Sequence, residues 1–135
     1  MLAGLLGQEE GQITLRRVLP GSGLGPEVEI SFQANGVLLG VQTNNIGTYI
    51  ATARPDGSLF GSGQGMLTTP DGEAATWTGQ GIGRRADGAT ATAWRGAIFY
   101  LTQCERLSAL NGMAVVFEFD IDEQGKTQAK VWEWR

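Results

Sequence analysis

Glycine stands at every second residue in two stretches of this chain, Gly61-Ser62-Gly63-Gln64-Gly65 and Gly79-Gln80-Gly81-Ile82-Gly83. Glycine-rich loops are a common way for a backbone to cradle phosphate, so nucleotide chemistry is the first possibility to weigh. Neither run completes Gly-x-Gly-x-x-Gly, neither ends in Gly-Lys-Ser/Thr, and neither opens a helix whose N-terminus could face an anion. Nucleotide binding of either standard kind is excluded. With no histidine and only one cysteine, zinc sites and histidine-dependent triads are excluded as well. A carboxylate-only Mg²⁺ or Ca²⁺ site would draw on the aspartates, but Asp56, Asp71 and Asp87 each precede glycine in a turn, and turn geometry explains them. The residues ask for no metal and no cofactor. General acid–base work would fall to a carboxylate, and the one catalytic candidate is Glu133, which the favoured strand register turns inward near Val115. The same residue also reads as a strand-end carboxylate reaching water. Cys104 has no base nearby in sequence and reads as a small core filler.

Charge and composition narrow the remaining classes. The net charge of −4 is spread along 135 residues, and the pairs Arg16-Arg17 and Arg84-Arg85 are too small to neutralise a phosphate backbone. A nucleic-acid partner is not expected. The unpaired Cys104 argues for a reducing compartment. The apolar opening Met1-Leu2-Ala3-Gly4-Leu5-Leu6-Gly7 lacks a basic n-region and runs into Glu9-Glu10, so it is not an export signal. No stretch approaches the ~20 apolar residues that span a bilayer. A cytoplasmic protein without a membrane partner is expected, with residues 1–10 as an N-terminal cover or frayed segment and residues 11–135 as a single β-barrel domain.

Any chemistry must be positioned by strands. Five Asn-Gly or Asp-Gly dipeptides (Asn35-Gly36, Asp56-Gly57, Asp71-Gly72, Asp87-Gly88, Asn111-Gly112) cut the chain into short apolar, threonine-rich segments. Strands are expected at Gln12 to Leu19, Val28 to Ala34, Val37 to Thr43, Thr48 to Arg54, Ser58 to Thr68, Ala74 to Arg85, Thr90 to Thr102, Met113 to Ile121 and Thr127 to Trp134. The fold class is all-β, a single antiparallel meander closed into a small barrel of about 8–10 strands. One short helix is expected near residues 103–110, opened by a capping box of Thr102 and Glu105 and ended at Asn111-Gly112. It would plug one barrel mouth and bury Cys104 and Leu107.

Alternation in Met113-Val115-Phe117-Phe119-Ile121 fixes inside and outside. With Glu123-Gln124-Gly125 as a three-residue loop, Ala129 and Val131 join the buried face, Lys130 lies opposite Glu118, Glu133 turns inward, and Trp132 and Trp134 face out. A slip of one residue would reverse all of them. The two glycine runs flank Pro70-Asp71-Gly72-Glu73. A loop centred on Gly72 would set Gly61 opposite Gly83, Gly63 opposite Gly81, Gly65 opposite Gly79, and Leu67 opposite Trp77. The Asp87-Gly88 turn would set Trp94 opposite Gly81 and Gly96 opposite Gly79. Strand glycine costs about 0.5–1 kcal/mol relative to alanine, so aligned runs imply a geometric demand. Tight curvature is one such demand, and an aromatic ring lying on bare backbone is another. Trp77 and Trp94 are the rings expected there. Gly63, Gly65, Leu67, Trp77, Gly79, Gly81 and Trp94 are therefore the candidate ligand-binding residues. Arg95 is expected outward, and Tyr49 and Tyr100 as amphipathic barrel residues.

Tyr49 to Gly83 (ending Asp71-Gly72-Glu73-Ala74-Ala75-Thr76-Trp77-Thr78-Gly79-Gln80-Gly81-Ile82-Gly83), Trp94-Arg95-Gly96-Ala97, Leu110-Asn111-Gly112 and Trp132-Glu133-Trp134-Arg135 resemble a family of uncharacterised prokaryotic proteins. The likeness covers most of the chain beyond about residue 11. It implies a barrel similar to those of the allene oxide cyclase-like and calycin groups. Plant allene oxide cyclases isomerise a fatty-acid epoxide in an apolar barrel without a cofactor, and calycins carry small hydrophobic molecules. No catalytic motif of the cyclases matches positions here. The expectation is a protein of unassigned function that binds a small apolar ligand inside a β-barrel. Its alternatives are a cofactor-independent isomerase or cyclase using an interior carboxylate, and a structural homo-oligomeric module built on Trp132 and Trp134.

Overall fold

The computed structural model describes residues 1–21, 23, 25–85 and 90–135. Eight strands follow one another around a closed barrel: β1 (Leu2–Leu19), β2 (Glu27–Leu38), β3 (Val41–Ala53), β4 (Leu59–Thr68), β5 (Ala74–Arg85), β6 (Thr92–Thr102), β7 (Val115–Ile121) and β8 (Lys126–Trp134). Each pairs antiparallel with its neighbour, and β8 returns to β1. Side chains alternate across the wall. On β3, Val41, Thr43, Asn45, Tyr49 and Ala51 are buried while Gln42, Asn44, Ile46 and Ile50 face out. On β7, Val115, Phe119 and Ile121 are buried and Phe117 packs against the same core.

The turns set the register. Arg54–Ser58, Thr69–Glu73 and Asp122–Lys126 share one construction, in which the amide of the fourth residue donates to the carbonyl of the first, and the first and fifth close the ladder. Their glycines Gly57, Gly72 and Gly125 all sit at φ between 82° and 87°, where a side chain is strained. The last of these is the expected Glu123-Gln124-Gly125 loop. Glu118 duly pairs with Lys130 and Val115 with Glu133.

Between β4 and β5 the loop is Pro70-Asp71-Gly72, one residue earlier than expected. Proline has its φ preset for the second position of a type I turn, and Thr69 Oγ1 ties the turn by donating to Asp71 at 2.5 Å and accepting from the Glu73 amide at 3.1 Å. The pairing moves by two residues, so Gly61 faces Gly81, Gly63 faces Gly79, Gly65 faces Trp77, and Leu67 faces Ala75. An even shift preserves the face. Between β5 and β6 the same correction applies, with Trp94 opposite Gly83 and Gly96 opposite Gly81. The Asp87-Gly88 turn itself lies outside the described residues.

Three further expectations change. Asn35-Gly36 is not a turn but lies within β2, and the hairpin to β3 is made by Leu39 and Gly40 at φ 50° and 77°. Two expected strands thereby become parts of longer ones. Residues 2–10 are neither a cover nor a frayed end: they form the first half of β1, paired with β8 from Leu2 onward and with β2 from Gly7 onward. The β1–β8 register shifts between Leu2 and Leu5 and again between Leu5 and Gly7. Finally, the expected short helix is present as a 3₁₀ helix, Glu105–Leu110, but the expected capping box does not form. Thr102 Oγ1 instead accepts from the Cys104 amide at 2.9 Å and donates to the Ala74 carbonyl at 2.8 Å. Leu107 and Leu110 are fully buried and Cys104 nearly so.

Candidate functional site

The glycine face of β4 and β5 points into the barrel, and large rings lie on it. A Cβ at Gly61 would come within 2.6 Å of the Trp94 ring, one at Gly83 within 3.0 Å of the same ring, and one at Gly65 would fall on the Trp77 indole. Gly47 on β3 serves Trp77 and Phe32 alike, each 2.6 Å from a Cβ placed there. The rings fill the volume that missing side chains leave. Phe32 and Phe119 stack at 4.9 Å between centroids, and Tyr49 meets Trp94 edge-on at 5.4 Å.

They do not fill it completely. A cavity of about 100 Å³ remains, bounded by Gly63, Gly79, Gly81, Leu67, Trp77 and Trp94 among others. Six of the seven expected ligand-binding residues therefore meet around one space. Gly65 is separated from it by the Trp77 ring that covers its backbone. Drug-sized ligands occupy roughly 300–1,000 Å³, so this cavity suits a guest of only a few non-hydrogen atoms.

Glu133 is not part of this site. It lies opposite Val115 near the end of β8, its carboxylate accepting from Arg135 Nε at 3.0 Å, and it does not border the cavity. The interior carboxylate is Glu9. It stands on the inward face of β1 opposite Gly36, whose missing Cβ leaves the room: a Cβ there would be 2.5 Å from that of Glu9. Glu9 Oε1 accepts from Asn45 Nδ2 at 3.0 Å, and Asn45 Oδ1 accepts from Trp77 Nε1 at 2.8 Å. An indole can only donate, so the Asn45 amide is oriented with its NH₂ toward Glu9. Burial raises the Glu9 pKa above the ordinary carboxylate value, and the Asn45 bond only partly offsets it. Tyr100, also on the cavity, is pushed up by burial and by the Glu9 charge.

At the other side of the cavity, the Tyr49 hydroxyl and the Trp94 indole N–H are buried without a hydrogen-bond partner. Burial raises the Tyr49 pKa, leaving a neutral phenol. Neither Glu9 nor Asn45 stands out as a site residue in the sequence. Glu9 belongs to a stretch whose glycines and doubled acids hide its alternation, and Asn45 sits between two expected strands. Among the described residues no cluster of three acidic or thiol groups could hold a metal, and no helix is long and apolar enough to cross a membrane.

No family model matches the sequence, nor does any curated protein. Solved structures share the architecture. The chain is similar to a protein with unknown function from Clostridium acetobutylicum (TM-score 0.82, 13% identity, 96% of each chain covered). It is equally similar to a conserved protein of unknown function from Rhodopseudomonas palustris (TM-score 0.82, 13% identity, 98% of this chain and 97% of that one). A β-barrel-like protein from Acinetobacter baumannii also superposes (TM-score 0.82, 12% identity, 100% of this chain and 96% of that one). At these identities the likeness is one of fold: an eight-stranded barrel shared with uncharacterised bacterial proteins.

Proposed function

We propose that the barrel interior holds a small molecule with a largely apolar body, the use that calycin-type barrels make of the same enclosure. The observation that carries this reading is the pairing of an aromatic-lined cavity with two unpartnered donors beside it, Tyr49 Oη and Trp94 Nε1. Buried polar groups are almost always hydrogen-bonded, and an unpaired one costs about 1–3 kcal/mol. A guest whose polar atom reaches the Tyr49 hydroxyl, which can accept as well as donate, would supply a partner there. The test is native mass spectrometry of the protein purified from its own host. A small-molecule adduct that is released on denaturation supports the reading, and a bare mass at every stage overturns it. A cofactor-independent isomerisation would need an acid inside the barrel, and Glu9 rather than Glu133 meets that requirement.

The outer wall supports a second reading. Leu5 pairs with Trp132 and Leu2 with Trp134 across the β1–β8 seam, and Leu2, Leu5 and Trp134 are exposed. Such a strip suits self-association. Light scattering of the wild type and of Trp134→Ser decides it: a drop from oligomer to monomer supports this reading, and a monomeric wild type removes it.

A further inference from the structure

Resting on the reading of the interior as a ligand site, the charge inside the barrel narrows the chemistry of the guest. Among the described residues, Glu9 is the only acidic side chain lining the cavity, and no lysine or arginine lines it. Among the described residues no ion pair reaches Glu9, whose hydrogen-bond partner is the neutral Asn45 amide. That amide is already committed through its carbonyl to Trp77. Glu9 Oε1 is satisfied by Asn45, and Oε2 makes no hydrogen bond among the described residues. Trp77, Tyr100, Phe32 and Phe119 line the same cavity, and Tyr100 is near enough to feel the Glu9 charge. An anionic guest would meet a like charge in a low-dielectric enclosure, and a neutral hydrocarbon would leave the carboxylate unpartnered. A cation answers both features, since aromatic faces attract ammonium groups and do so most strongly where water is excluded.

We infer that the cavity selects a compact organic ammonium ion, with Glu9 as its counter-ion and the neighbouring rings of Trp77 and Tyr100 as its cation–π partners. The volume of about 100 Å³ restricts it to a head group with short alkyl substituents. Consistently, burial disfavours the ionised form of Glu9, a cost that a bound cation would offset.

The experiment compares three probes of similar shape on the full chain by titration calorimetry at constant ionic strength: tert-butylammonium, tert-butanol and pivalate. The ammonium is expected to bind at least about tenfold more tightly than the alcohol. Pivalate is expected not to bind. In Glu9→Gln, which keeps an acceptor for Asn45, that preference should vanish while tert-butanol binding persists. In the wild type, NMR contacts should run from the tert-butyl protons to the Trp77 and Tyr100 rings, a readout that needs no variant to fold. Equal or stronger binding of tert-butanol overturns the inference while leaving the interior site standing. Absence of binding by all three, a preference that survives Glu9→Gln, or contacts only to outer-wall residues also overturns it.

Discussion

Glycine does different work on the two sides of this barrel. At Gly61, Gly65 and Gly83 on β4 and β5, and at Gly47 on β3, the missing side chains are replaced by rings, Trp94 over Gly61 and Gly83 and Trp77 over Gly65 and Gly47, while Gly63 and Gly81 between them meet the carbonyls of Thr48 and Arg95. On β1 and β2 the glycines Gly7, Gly11 and Gly36 face the neighbouring strand's backbone, and a Cβ at any of them would run into a carbonyl oxygen. A ring can turn aside. A hydrogen-bonded strand cannot without breaking its ladder. The ring-covered side borders a soft volume with unpartnered polar atoms, whereas the backbone-tight side holds Glu9 in a fully specified chain of hydrogen bonds through Asn45 to Trp77.

The largest effect is expected where that chain is cut. Asn45→Ala strands the Trp77 N–H and the Glu9 carboxylate together, and at about 1–3 kcal/mol for each buried group the loss should be about 3 kcal/mol, read from the urea midpoint. A loss below about 1 kcal/mol would mean that water or another group replaces the amide. The glycine contrast comes next. Gly11→Ala, blocked by backbone, should cost about 2–3 kcal/mol, and Gly61→Ala, where the Trp94 ring can shift, about 1 kcal/mol or less. Equal costs would erase the distinction between the two sides.

Proton linkage gives a smaller signal with a defined sign. Burial raises the Glu9 pKa above 4.5, so the folded state holds a proton that the unfolded chain has released. Stability from this group is therefore present below the unfolded value and is lost as pH rises through the folded one. Glu9→Gln should flatten that decline in a series of unfolding curves from pH 4.5 upward. Asp56 and Asp71 carry the opposite sign, since turn hydrogen bonds from Ser58 and Thr69 lower their pKa values, and their contribution fades only as pH falls. Smallest of all should be Tyr49→Phe, which removes a hydroxyl already lacking a partner. It should leave thermal stability unchanged or raise it by up to about 1 kcal/mol, and a large loss would reveal a hidden partner.

Much of this architecture was legible because strand period and turn chemistry are local. The alternation of Met113 to Ile121 and the Glu123-Gln124-Gly125 loop carry their own register, and the pairing of Glu118 with Lys130 follows. The inward face of both glycine runs was legible too, since the registers of β4, β5 and β6 differ from expectation by even steps that conserve parity. The steps themselves depended on which residues of Thr69-Pro70-Asp71-Gly72-Glu73 leave the ladder, a choice made by the Thr69 side chain and by proline's fixed φ. Asn35-Gly36 misled because its glycine serves a close approach of strands rather than a reversal, and only the tertiary neighbour Glu9 distinguishes the two uses. The polar half of the site escaped for a related reason. Glu9, Asn45 and Trp77 are far apart in sequence, and no local pattern links a carboxylate, an amide and an indole that meet only when the sheet closes.

The return of β8 to β1 closes the sheet, so that each of the eight strands has a neighbour on both sides. It also means that any single seam can part while all eight strands stay joined as one open sheet. The short strand β7 pairs over seven residues with β6 and over seven with β8, fewer than at any other junction, so parting beside it breaks the fewest bonds. Amide exchange along β7 ahead of the other strands would identify that side as the one through which the interior admits a guest.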